Sequence, residues 1–173
     1  MAVHIIVDGY NLIRQSPRLS RLDRRDIALG REALIAGLAA YRRIKPHRIT
    51  VVFDGVKAPA GSPPRDIIHG VRVLFSRQGE NADAVIGRLA RQEGERGLVV
   101  SSDGAVARAA LACGAAAIAA PEFEMRMEQA EALQGAEPRE QDPPPRRIDT
   151  RKKGEGRRLP KRMRRNTAKT SKL

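Results

Sequence analysis

Short apolar runs alternate with longer amphipathic ones along most of the chain. Val3–Val7 (VHIIV) is β-branched and apolar and stops at Asp8-Gly9, the pattern of a buried strand. A loop containing Ser16-Pro17 is expected next. From about Leu22 to Arg43 the apolar residues Ile27, Leu34, Ile35, Leu38 and Tyr41 recur at helical spacing on one face. Asp23 and Asp26 sit near the start of this segment and Arg42, Arg43 and Lys45 near its end, as the helix dipole favours, and Pro46 marks the stop. Ile49–Phe53 (ITVVF) is the clearest strand and ends at Asp54-Gly55. Residues 56–70 read as a loop because proline and glycine recur in them, and Val71–Phe75 reads as a third strand. The pattern then predicts a helix over 82–95 with Asn81 as its N-cap, and a fourth strand, Leu98–Ser101, ending at Asp103-Gly104. A helix closed by Gly114 comes next. Ala115–Ala119 is read as a fifth strand, although alanine is a poor strand former, and a last helix runs from about Pro121 to Leu133. The expected fold is α/β: an open parallel sheet of about five strands with helices on both faces, over residues 1–134.

Composition adds a constraint on the core and a second region. Hydrophobic residues make up 41% of the chain but aromatics only 3%, with no Trp, so the core must be built mainly from Ala, Val, Ile and Leu. The net charge of +13 is uneven. Residues 146–173 hold 13 Lys/Arg against 2 Asp/Glu, whereas residues 1–125 hold 18 against 13. Pro143-Pro144-Pro145 breaks any helix before this basic run. Residues 135–173 are therefore expected to be a disordered basic tail that binds polyanions, nucleic acid first. The single cysteine, Cys113, excludes an intrachain disulfide and argues against a cysteine-based zinc site; within an apolar run it is expected as a small buried hydrophobe. Met1–Gly9 carries Asp8 where a secretory signal needs apolar residues, and no stretch reaches the about 20 apolar residues of a spanning helix. A cytoplasmic protein is expected.

The chemistry gathers at strand ends. Asp8, Asp54 and Asp103 each come directly after a strand, and in an open parallel sheet all strand C-termini lie on one edge, where ligands bind. Glu80 and Asp83 precede or open the helix after strand three and so approach the same edge. Like charges repel by about 4 kcal/mol for a pair 4 Å apart near a protein surface, so such a cluster usually persists because a cation neutralises it. Carboxylate oxygens without cysteine or clustered histidine favour Mg²⁺ or Mn²⁺, which can orient water and stabilise charge on a phosphodiester. Each acid also has a plainer reading. Asp8 and Asp54 could be turn residues, Asp103 an N-cap, Asp83 a first-turn acid and Glu80 a solvated loop acid. His4 and His47 read as structural or solvated, and His69 could approach the edge.

The motif Val7-Asp8-Gly9-Tyr10-Asn11 (VDGYN) resembles the signature of the NYN domain, a branch of the PIN-like nucleases, and is most similar to its YacP-like members. Supporting pieces come in order: Arg31-Glu32-Ala33-Leu34-Ile35, Val51-Val52-Phe53-Asp54, Val71-Arg72-Val73-Leu74-Phe75, Glu80-Asn81-Ala82-Asp83 and Ser101-Ser102-Asp103. The resemblance covers residues 3 to about 125. It implies a three-layer PIN-like sheet and metal-dependent endonucleolytic cleavage of RNA, in this branch of mRNA in association with the ribosome. It implies Asp8, Asp83 and Asp103 as catalytic metal ligands, Glu80 and Asp54 as outer ligands, and Mg²⁺ or Mn²⁺ as cofactor. Asn11 and Arg31 are expected to meet the substrate, with Arg157, Arg158, Lys161, Arg162, Arg164 and Arg165 of the tail. Arg14, Arg18, Arg21, Arg24 and Arg25 could offset the repulsion between the acidic site and RNA. Two positions depart from the pattern: Asn81 stands where Thr is common, and Gly87 where this branch often has Glu. The missing acid leaves open an alternative, a catalytically weak or silent RNA- or ribosome-binding protein. With so few aromatics, base stacking would be limited and binding led by phosphates. A phosphoacceptor receiver domain would want a second acid beside Asp8 and a Lys after the fifth strand, where Gly9 and Pro121-Glu122 stand.

Overall fold

β1 (His4–Asp8) is buried at every position. In the computed structural model, which describes residues 2–136, it lies inside a six-stranded sheet of order β3-β4-β2-β1-β5-β6. β2 (Arg48–Phe53), β4 (Val71–Phe75), β5 (Gly97–Val100) and β6 (Ala116–Ile118) run in one direction, and β3 (Arg65–Ile68) pairs antiparallel at the edge. Val7 lies between Val51 of β2 and Val100 of β5. Parallel strands covered on both faces need apolar residues on both, which is why VHIIV and ITVVF are continuous rather than alternating. Ile5 and Val7 pack into one core with Leu34, Leu38, Val51, Phe53, Phe123 and Met127, beneath α1 (Gly9–Gln15), α3 (Ile27–Ile44) and α6 (Ala120–Ala136). Ile6 and Val52 face the other way, into a smaller core with Val85, Ile86, Val99 and Val106 under α4 (Ala82–Glu93) and α5 (Gly104–Ala112).

Two expectations change. The segment after β1 is not a loop but two helices, α1 and α2 (Pro17–Arg25), joined at Ser16. The Ser16 amide closes α1 on the carbonyls of Leu12 and Ile13, while its hydroxyl accepts the Leu19 N–H and starts α2, with Pro17 at the first helical position. Ser-Pro here is a helix start rather than a break. Asp26, with an extended backbone, then caps α3 by accepting the Ala28 N–H, so the single long helix expected from Leu22 is divided. Second, residues 56–70 hold most of a 3-10 turn (Gly55–Lys57) and the edge strand β3, which makes six strands rather than about five. His69 and Gly70 have φ of +50° and +81° and link the paired residues Ile68 and Val71, the geometry of a two-residue type I′ hairpin. His69 is thus a turn residue.

The remaining elements fall close to expectation. Asn81 caps α4 through the Ala84 N–H, and α5 ends before Gly114 at φ +83°. Cys113 is half-buried at the end of α5 rather than within the core. Among the described residues no helix is long and apolar enough to cross a membrane. The basic tail, with Arg157, Arg158, Lys161, Arg162, Arg164 and Arg165, lies outside the described residues.

Candidate active site at the carboxyl edge of the sheet

Asp8, Asp54 and Asp103 stand where a parallel strand gives way to a helix or turn, and each caps the element after it. The Asp8 Oδ1 accepts the Asn11 N–H at 3.4 Å, the Asp54 Oδ1 accepts that of Val56 at 3.1 Å, and the Asp103 Oδ1 accepts those of Ala105 at 2.7 Å and Val106 at 3.3 Å. Capping explains why the chain places aspartate at these three points. The glycine after Asp8 answers a different need. A Cβ at Gly9 would lie 2.3 Å from the Phe53 ring, so this Asp-Gly pair is a cap followed by a close approach, not a loose turn.

Capping does not explain why Asp8 is buried. Only 8% of it is exposed, and its second oxygen accepts a hydrogen bond from the Ser101 hydroxyl at 3.1 Å. The same hydroxyl, itself 3% exposed, accepts the Asp103 N–H at 3.1 Å and so ties the end of β1 to the loop after β5. Asn11 makes a second tie, its side-chain oxygen accepting the Ser102 N–H at 2.8 Å. Burial pushes the Asp8 carboxyl above the usual value of 3.8. The bonds from Ser101 and Asn11 pull it down, the negative charge of Asp83 adds to the rise, and Arg14 opposes it. Asp83, in the first turn of α4, is also raised, by partial burial first and then by Asp103 and Asp54. It makes no hydrogen bond or ion pair among the described residues. Asp8, Asp54, Asp83 and Asp103 thus share one electrostatic neighbourhood.

Glu80 and Arg31, also expected in the site, have protein partners of their own. Glu80 is ion-paired with Arg88, whose hydrogen bond holds it below the usual carboxylate value, and it does not contribute to the rise at Asp8 or Asp83. Arg31, expected to meet the substrate, is 7% exposed; it donates to the Tyr10 hydroxyl at 3.0 Å and to the Lys57 carbonyl at 3.1 Å. It holds the 3-10 turn after Asp54 against α1, with the Lys57 ammonium 5.2 Å from the centre of the Tyr10 ring. Arg18 approaches Glu131 on α6, which leaves Arg14 as the member of the basic series that Asp8 feels. His4 is buried against Thr50 at 2.7 Å, and His47 accepts the Val3 N–H. Gly87 lies one turn after Asp83 on α4. A Cβ there would meet only the Arg91 guanidinium, at 3.7 Å, so packing does not require glycine.

The donors at this edge are carboxylate oxygens, the chemistry of a hard divalent cation. Among the described residues, however, no three His, Cys, Asp or Glu side chains converge closely enough to hold a metal ion between them. The set fits the way Mg²⁺ is usually bound, by one or two carboxylates with water and substrate phosphate completing the shell, and does not form a closed protein cage. Sequence reasoning missed Ser101, the residue that joins two of the acids. A hydroxyl two positions before an N-cap aspartate was the available signal, but it becomes meaningful only when β1 and β5 are adjacent.

The sheet, parallel except for β3, carries aspartates where its central strands end, and the comparisons place this arrangement in the nuclease-like NYN class. The family model of the YacP-like NYN domain matches residues 5–170, and the chain belongs to that family. The match runs on through the basic region, beyond the residues 3 to about 125 that carry the resemblance. The uncharacterized protein YacP of Bacillus subtilis (strain 168) is 34% identical over 87 residues, which are 50% of this chain and 51% of that protein, so the aligned stretch spans about half of the relative. The crystal structure of Rae1 (YacP) from Bacillus subtilis matches with a TM-score of 0.65 at 28% identity, covering 78% of each chain. The crystal structure of a tryptophan-to-leucine mutant of Rae1 matches with a TM-score of 0.64 at 30% identity, covering 75% of this chain and 77% of that one.

Proposed function

We propose that this chain is a divalent-metal-dependent endoribonuclease whose site is the edge formed by Asp8, Asp83 and Asp103, and that its substrate is mRNA met on the ribosome. The observation that carries the reading is the buried Asp8 carboxylate at the end of the central strand, in one electrostatic neighbourhood with Asp83, Asp103 and Asp54. Capping and the Ser101 bond account for an aspartate at this position, but not for the like charges gathered around it, whose repulsion a bound cation would offset. One or two of Asp8, Asp83 and Asp103 would hold Mg²⁺ or Mn²⁺, with water and substrate phosphate completing the shell, and the ion would supply charge stabilisation to the phosphodiester and an activated water. Asp83, with no hydrogen bond or ion pair among the described residues, would have an oxygen available to orient that water. Ser101 and Asn11 fix Asp8 and the Asp103 loop in register, and Arg14 lies close enough for Asp8 to feel its charge, where it can also meet a phosphate. Asp54 adds negative charge at the rim, and Glu80 has its charge met by Arg88.

A second reading, an RNA- or ribosome-binding protein with a silent site, is favoured by Gly87 and by the absence of a three-carboxylate cage among the described residues. Cleavage of end-labelled RNA with Mg²⁺, Mn²⁺ or EDTA, with and without translating ribosomes, separates the two. The nuclease gives discrete internal cuts that need the metal and disappear in Asp83→Asn. Intact RNA in every arm, with binding retained, establishes the silent module.

A further inference from the structure

On one face of the sheet the helical cover thins towards the β3-β4 hairpin. α4 and α5 pack over β1, β2 and β5, α4 meets β4 at Leu74, and β3 lies at the sheet edge beyond it. Leu74 faces α4, so by strand alternation Arg72 faces the same way; their partners across the hairpin, Arg65 and Ile67, share that face. Opposite them α4 presents Val85, Arg88, Leu89 and Gln92. The result is a groove of about 730 Å³ between the hairpin and α4. Arg65 and Arg72 are exposed and make no ion pair among the described residues, and Arg88, 50% exposed, is the cation bound to Glu80. Asp66 is the one acid on the groove wall among the described residues. Ile67, 68% exposed on the edge strand, also lines it.

Charge on an edge strand also guards against unwanted strand pairing. That purpose needs charge on β3 alone. It does not require a facing arginine on α4 or a second one inside the sheet on β4. We propose that this groove is a binding track for the sugar–phosphate backbone of single-stranded RNA leading away from the Asp83 edge. Asp83 and Arg88 lie on the same helix, and Asp83 to Gln92 spans about 14 Å along it, so the track begins where the carboxylates stand. Arg65 and Arg72 would each neutralise a phosphate, and Arg88, which shares its charge with Glu80, would donate hydrogen bonds beside them, with Ile67, Leu74 and Leu89 against the sugars. The proposal rests on RNA being the substrate but not on cleavage.

The test uses full-length Asp8→Asn in EDTA, so that binding is read without cutting, with fluorescent single-stranded RNA from 50 to 200 mM salt. Each phosphate contact to a single strand contributes about 0.7 to the slope of log affinity against log salt. With two free arginines counted, Arg65→Gln/Arg72→Gln/Arg88→Gln is therefore expected to flatten the slope by about 1.4, so that affinity falls roughly 7-fold less over that range. The charge-preserving Arg65→Lys/Arg72→Lys/Arg88→Lys keeps the slope, which excludes misfolding as the cause. An unchanged slope in the glutamine triple overturns the proposal. So does a loss of binding to poly-glutamate without a loss for RNA, which would mark an acidic protein partner. RNA held in the groove by a wild type that never cuts would sink the nuclease reading and leave this one standing.

Discussion

Ser101→Ala tests whether the acidic edge is one assembled unit. The substitution removes a buried hydroxyl that donates to the Asp8 carboxylate and accepts the Asp103 N–H, both at 3.1 Å. A hydrogen bond to a charged group contributes about 1.5–3 kcal/mol and one between neutral groups about 0.5–1.5, so the loss at neutral pH is about 2–4 kcal/mol. Most of it depends on the charge of Asp8. The Ser101 hydroxyl lowers the Asp8 pKa from where burial would put it, so it favours the ionised form. The cost of Ser101→Ala is therefore largest above the Asp8 pKa and shrinks to about 1 kcal/mol as pH falls towards 3.8 and the carboxyl takes up its proton. Urea unfolding of wild type, Ser101→Ala, Asp8→Asn and the double variant at pH 7 gives the coupling directly, expected at about 1–2 kcal/mol. In the active protein the acid limb of the pH–rate profile should move upward, because Asp8 loses a donor that favours its charge. A stability loss below about 0.5 kcal/mol with no coupling to Asp8 would refute the idea that Ser101 holds the two acids together.

The same geometry sets two further outcomes. Asp8→Asn keeps the shape and removes the charge; because the folded-state pKa is raised above the ordinary 3.8, the native state binds more protons and wild-type stability falls as pH rises through that window. Asp8→Asn should therefore melt above wild type at pH 7 and match it near pH 4 in calorimetry, while losing activity; a lower melting temperature at pH 7 would contradict the burial argument. At Gly87, where a Cβ meets ordinary contact distance, Gly87→Ala should stabilise the protein by about 0.5–1 kcal/mol, read as a rise of roughly 2–5 °C in melting temperature; destabilisation would mean that α4 needs glycine there after all.

The parallel framework was legible because strands buried on both faces must be continuously apolar, and VHIIV and ITVVF cannot readily be anything else. The strand-end aspartates were legible for the same reason, since strand direction alone puts them on one edge. β3 was not. Its sequence, RDII, comes after Pro63-Pro64 and leaves Arg65, Asp66 and Ile67 exposed, so no apolar period marks it, and its existence depends on the I′ turn at His69-Gly70. The groove lined by Arg65, Arg72 and Arg88 was invisible with it, because it needs the hairpin register and the position of α4. Arg31 misled for a related reason. A basic residue in a nuclease-like motif suggests RNA, but its partners are Tyr10 and a carbonyl 26 positions further on, a pairing that no local pattern announces. Glu80 lay near the right edge, yet Arg88 two turns along α4 takes its charge.

Cleavage of one defined RNA in Mg²⁺, by wild type, Asp8→Asn, Asp83→Asn, Asp103→Asn and the exposed control Glu95→Gln at the opposite, amino edge of the sheet, all prepared identically, bears most directly on the acidic edge as a site of hydrolysis. Metal-dependent internal cuts by wild type and Glu95→Gln, lost in each of the three aspartate variants while their folds persist, are the expected result. Equal cutting by all five would place the chemistry elsewhere or in a contaminant, and no cutting by wild type, with or without ribosomes, would contradict the nuclease assignment.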